Sequence, residues 1–213
     1  MIEISMSELE LFMQKGRYAA QYAWEHYDEL SARKAKFTLY GPEAYGVGAG
    51  MPGKFVPQSV RKLMKQTRRK NYLVYELDDK YQLLRTVLVQ NNEKVLYTYQ
   101  CFELDGTMYC CPFLEGEKKM FRDEVLAIGP IGNRPQYLAF LRENSSIVQY
   151  FEYSAEDTMF VTTYAYSPTS IYSAHGYPVD CSAPIGALNS PVNRGCWKEP
   201  VAYTDFSQWF RRD

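Results

Sequence analysis

Residues 95–113 read VLYTYQCFELDGTMYCCPF. Two runs of apolar and aromatic residues meet at Asp105-Gly106, a dipeptide suited to the positive backbone angles of a two-residue type I′ turn. The reading is a hairpin in which Leu104 pairs with Thr107, Phe102 with Tyr109 and Cys101 with Cys110. Side chains alternate between the two faces of a strand. Here both faces are apolar, with Val95, Tyr97, Tyr99 and Cys101 on one and Leu96, Phe102, Tyr109 and Phe113 on the other. A sheet wetted on one side shows cleaner alternation. The sheet is therefore expected to be covered on both sides, curving around a helix or closing partly into a barrel.

The same texture extends both ways from this hairpin. From Tyr72 to Tyr166, eight β-rich runs follow one another: Tyr72–Leu77, Tyr81–Val89, Val95–Glu103, Thr107–Phe113, Phe121–Ile128, Gln136–Arg142, Ser146–Tyr153 and Thr158–Tyr166. Turn formers such as Asp78-Asp79, Asn91-Asn92 and Glu115-Gly116 separate them. No segment of helical period intervenes, so an antiparallel meander of about 8 strands is expected and parallel βαβ topology is not.

Before the meander, Ser5 to about Lys36 reads as one long amphipathic helix, opened by Ser5 and Glu8 at capping-box spacing. Its stripe is Leu9, Phe12, Met13, Gly16, Ala20, Ala23, Tyr27 and Leu30. Gly16 inside that stripe marks either a kink or a close approach to another element. A glycine-rich loop from Gly41 to Gly53 leads to a short basic helix from Pro57 to about Lys70, with Arg61, Lys62, Lys65, Arg68 and Arg69 on it. After Pro168 all periodicity stops until about Val201, and Thr204 or Asp205 is expected to cap a terminal turn anchored by Phe206, Trp209 and Phe210. The fold class is thus α+β in a single domain, residues 1–213. Its parts are a helical stretch (1–70), the meander (71–167) and an irregular C-terminal stretch (168–213).

Hydrophobic residues make up 46% of the 213, enough for a substantial core, and rule out global disorder. The net charge of -1 gives the molecule no long-range field toward nucleic acid or an anionic membrane. The N-terminus lacks a signal peptide's basic start and apolar core, and no run nears the roughly 20 apolar residues of a membrane span. A cytoplasmic protein with reduced cysteines is expected.

Gly48-Ala49-Gly50-Met51-Pro52-Gly53 spells a dinucleotide fingerprint, and with Lys54 most of a phosphate-binding loop. Both require a strand entering and a helix leaving. Phe55 stands where the phosphate loop needs a hydroxyl, Pro57 delays the next helix, and no parallel unit follows, so the segment reads as a linker. What survives is an anion-binding patch of Lys54, Arg61, Lys65 and Arg68. No stacking aromatics interleave the basic run from Arg61 to Lys70, so nucleic acid is not the expected partner.

The two histidines restrict chemistry. His26 falls in the long helix as a packed or capping residue, while His175 shares the irregular loop with Asp180 and Cys181, the elements of a Cys–His nucleophile with an acidic orienter. Zinc spacing is missing, since no Cys-x-x-Cys occurs and Cys110-Cys111 point to opposite faces. No metal or cofactor is expected. Acids at Asp78-Asp79 and Glu156-Asp157 read as turn formers.

With 19 Tyr in the chain and Tyr172, His175, Tyr177 and Trp197 in the irregular loop, the leading expectation is a non-enzymatic protein-interaction domain, of the bacterial immunity or regulatory kind. The alternative is a small-molecule binder with an apolar, aromatic pocket in the sheet concavity. The third is an enzyme using His175 and Cys181.

Overall fold

The computed structural model describes residues 6–41, 70, 72–91, 93–114, 116–120, 124–131, 136–141, 146–153, 159–166 and 193–197. The hairpin at residues 95–113 forms as its sequence demands. Cys101 stands opposite Cys110, Phe102 opposite Tyr109 and Leu104 opposite Thr107, between β4 (Glu93–Leu104) and β5 (Thr107–Leu114). Asp105 and Gly106 take φ of 49° and 69°, the left-handed pair that this turn needs.

Around it, every strand pairs antiparallel with its neighbours in sequence. Among the described residues one ten-stranded sheet runs in order from β1 (Phe37–Gly41) and β2 (Tyr72–Leu77) through β3 (Leu83–Gln90), β4, β5, β6 (Val125–Gly129), β7 (Tyr137–Leu141), β8 (Ser146–Tyr153) and β9 (Met159–Tyr166) to β10 (Asn193–Trp197). The expected partial closure into a barrel does not occur: β1 and β10 are the two ends of an open sheet. Bulges between Glu76 and Leu77 and between Val87 and Val89 break the register, and a bulge bends its strand and adds twist.

Two of these strands, β1 and β10, extend the expected eight. β1 occupies the residues between the expected end of the helix, at about Lys36, and the loop that starts at Gly41, and β10 lies in the segment read as irregular. The expected single helix is in fact two: α1 (Met6–Glu25) and α2 (Tyr27–Ala32). His26, at φ −97° and ψ 16°, is the joint, and Arg33 at ψ 132° turns the chain extended. The basic helix from Pro57, the glycine loop after Gly41 and the irregular stretch apart from β10 lie outside the described residues.

Within α1, Met13, Gly16 and Ala23 of the expected stripe are buried, Phe12 and Ala20 are half-buried, and Ala19, which the stripe did not include, is buried as well. The helix packs on β5, β6, β7 and β8. α1 runs unbroken through Gly16, and the missing side chain there lets the helix settle on the sheet. A Cβ at that position would lie 2.6 Å from Leu141 Cβ on β7, closer than carbon atoms approach. The sheet is apolar on both faces. Phe102, Cys111, Phe113 and Leu141 join Ala19 and Ala23 under the helices, while Tyr75, Cys101, Cys110, Ile128 and Phe140 form a second core on the other face. Among the described residues no helix is long and apolar enough to cross a membrane.

Candidate functional site

Register brings together residues that lie far apart in sequence. Glu76 on β2, Arg85 on β3, Gln100 on β4 and Cys111 on β5 stand side by side, and Val74, Val87, Thr98 and Phe113 form the next row on the same face. This is the face that α1 and α2 cover farther along the sheet. Here the cover is incomplete, and a cavity of about 310 Å³ opens between α2 and these strands. Tyr27 and Ser31 bound it from the helix side; Glu76, Arg85, Gln100 and Phe113 bound it from the sheet.

Two arginines hold α2 in place. Arg85 donates from Nε to the Glu76 carboxylate, from Nη1 to the Ser31 carbonyl at 2.9 Å and from Nη2 to the Arg33 carbonyl at 2.8 Å. Arg33 donates from Nε to the Leu30 carbonyl at 3.1 Å and from Nη2 to the carbonyls of Leu84 and Cys101, each at 2.8 Å. The last carbonyls of a helix have no partner within it, and cations there also favour the local dipole. Burial pushes the Arg33 pKa down from its usual value. A guanidinium nevertheless stays charged in proteins, so all these donors are charge-assisted.

Gln100 is the unusual member of the row. It is 4% exposed, its Nε2 reaches Ser31 Oγ at only 3.4 Å, and its Oε1 has no hydrogen-bond partner. Most buried polar atoms are satisfied, and one that is not calls for an explanation. Tyr27 and Phe113 supply the aromatic wall, ring centroids 4.9 Å apart and inclined at 42°.

The residues singled out from sequence fare differently. Lys54, Arg61, Lys65, Arg68, Tyr172, His175, Tyr177, Asp180 and Cys181 lie outside the described residues. Trp197 closes β10, opposite Met159 on β9. His26 joins the two helices, its ring stacked on Tyr22 at 4.1 Å and its Nδ1 donating to the Tyr22 carbonyl at 3.0 Å. Asp78 is a turn former: one carboxylate oxygen accepts from the backbone N–H groups of Lys80 and Gln82, both at 2.8 Å. None of the cavity residues was singled out as a site residue, Tyr27 and Phe113 having been read only as packing residues. Their signal was present in Glu76 and Arg85, opposite charges set inside apolar strands on either side of that turn.

No protein-family model, curated protein or solved structure matches this chain. The geometry alone therefore speaks for what the site does. It offers a closed ion pair, an underused amide and two aromatic rings. Among the described residues no group of three or more His, Cys, Asp or Glu is placed to hold a metal ion.

Cys111 at the end of the row, and Cys101 and Cys110 on the opposite face of the sheet, are free and buried. The Cys110 thiol is pushed well up by its hydrogen bond with Cys101 and by burial, and Cys111 by burial. Burial likewise pushes Tyr109 up to about 12 and raises Tyr137, whose hydroxyl meets Thr107 Oγ1 at 2.7 Å. These groups keep their protons when folded and release them nearer their ordinary values when unfolded. Alkali thus favours the unfolded chain, and stability falls as pH rises above about 8.5. The urea midpoint, followed from about pH 8 to about pH 11, should drop steadily. A flat or rising midpoint would contradict the burial of these groups.

Proposed function

We propose that this chain is a small-molecule binding protein whose ligand occupies the cavity between α2 and strands β2–β5. The observation that carries this reading is a polar row, Glu76, Arg85 and Gln100, lining a space of about 310 Å³ that Tyr27 and Phe113 also bound. That volume stands at the lower end of the range for ligand pockets, and the mixture of aromatic wall with a few placed polar groups is how such pockets orient what they hold. The lining is more polar than the apolar pocket its sequence suggests, because register gathers polar residues from three strands. Fragment screening by chemical-shift mapping tests the reading. Hits should perturb Tyr27, Ser31 and Phe113, and Val87→Phe, which fills the space, should abolish them while leaving the remaining spectrum folded. A screen whose hits all fall elsewhere defeats the proposal.

A second reading, contact with another protein, is favoured by exposed side chains of α1. Leu11, Tyr18 and Trp24 are 48%, 60% and 52% exposed, with Lys118 Nζ 4.6 Å above the Trp24 ring. Large exposed aromatics are favoured contact residues. Replacing all three by serine should leave the unfolding midpoint nearly unchanged and remove any co-purifying partner; retention of every partner by the variant rejects this surface.

A further inference from the structure

Resting on the cavity reading, we infer that the ligand is neutral and flat and carries an amide-like edge, a hydrogen-bond donor and acceptor side by side, which Gln100 reads. Charge comes first. Glu76 is already balanced by Arg85, and Arg85 is committed to the carbonyls of Ser31 and Arg33 as well. An ionic ligand would enter without a counter-charge of its own, and burying an unpaired ion is costly.

Hydrogen bonding comes second. Gln100 has one long contact to Ser31 Oγ and an oxygen with none. The Ser31 hydroxyl both donates and accepts, so turning the amide over merely leaves its other end unpaired. A ligand with an amide-like edge answers the side chain in either orientation. The oxygen is covered, so the amide has to swing toward the space that its own side chain lines; the terminal torsion of glutamine is broad and soft, and the swing costs little. Shape comes third. The rings of Tyr27 and Phe113 form a wall that a planar group meets by stacking or edge contact.

The test uses four probes of nearly one shape: benzamide, acetophenone, benzoate and benzamidinium. Each is titrated into the full chain and followed by NMR through the Gln100 side-chain amide and the backbone amide of Phe113. Benzamide should bind about tenfold more tightly than acetophenone, the worth of a well-made hydrogen bond, and more tightly than either ion. In Gln100→Met, similar in shape and without the amide, benzamide and acetophenone should become equal. Equal binding of benzamide and acetophenone to the unaltered chain, tighter binding of an ion, or a preference that survives Gln100→Met overturns the inference. The ranking on the unaltered chain decides by itself if the variant fails to fold. Silence of the cavity signals toward all four probes overturns both this inference and the cavity reading, whereas undiscriminating binding within the cavity overturns this inference alone.

Discussion

Replacing Phe113 by alanine should lower the free energy of unfolding by about 3–5 kcal/mol. The side chain is 1% exposed on β5 and packs against Tyr27 of α2, so it ties the short helix to the sheet. Truncation loses the transfer energy of the ring and leaves space that the neighbouring strands, held in register by their ladders, fill only in part. Urea denaturation should show an earlier midpoint with nearly unchanged slope, because the surface exposed on unfolding hardly changes. The same substitution removes part of the cavity wall and should weaken any ligand held there. A loss below about 1 kcal/mol would mean that Phe113 is not packed as described.

Arg85→Met should cost roughly 2–4 kcal/mol and loosen α2. Methionine keeps much of the length and apolar stem. What disappears is the donor to Glu76 and the donors to the Ser31 and Arg33 carbonyls, leaving a carboxylate and two carbonyls to find water. The side chains of the ion pair are 18% and 25% exposed, so solvent meets part of that need, and the estimate sits below the cost of breaking a fully buried pair. Hydrogen exchange localises the effect: amides from Tyr27 to Ala32 should exchange faster while those of β6 and β7 keep their relative protection. Adding Glu76→Met should restore part of the loss by removing the stranded carboxylate. Unaltered exchange in α2 would show that the arginine does not hold it.

Strands that carry their own turn signals were legible from sequence. Tyr72–Leu77 and Ser146–Tyr153 form with the bounds that their residues suggested, and the Asp105-Gly106 hairpin adopts its register to the residue. β1 was not legible because its partner β2 begins at Tyr72, well downstream, and nothing local announces so distant a pairing. β10 is five residues long and includes Gly195, a weak strand former. The break at His26 hides inside an unbroken apolar stripe that both helices share.

The cavity escaped for a different reason. Its row exists only across strands, and the bulge at Glu76/Leu77 shifts the count by one residue. Counting outward from the Asp78-Asp79 turn therefore puts side chains on the wrong face. Glu76 and Arg85 were visible as residues; their adjacency belonged to the register.

The meander also orders events in time. Each central strand finds its mate in the adjoining stretch of chain, so hairpins close almost as soon as they are made. The N-terminal helix has the opposite fate. It leaves the ribosome before its seat exists, because the strands that receive it, β5 to β8, end only at Tyr153. At ordinary rates of translation its oily stripe waits on the order of ten seconds for a place to land. During that interval the nascent polypeptide presents a ready target for a holdase, and the helix can seat only once β8 has emerged.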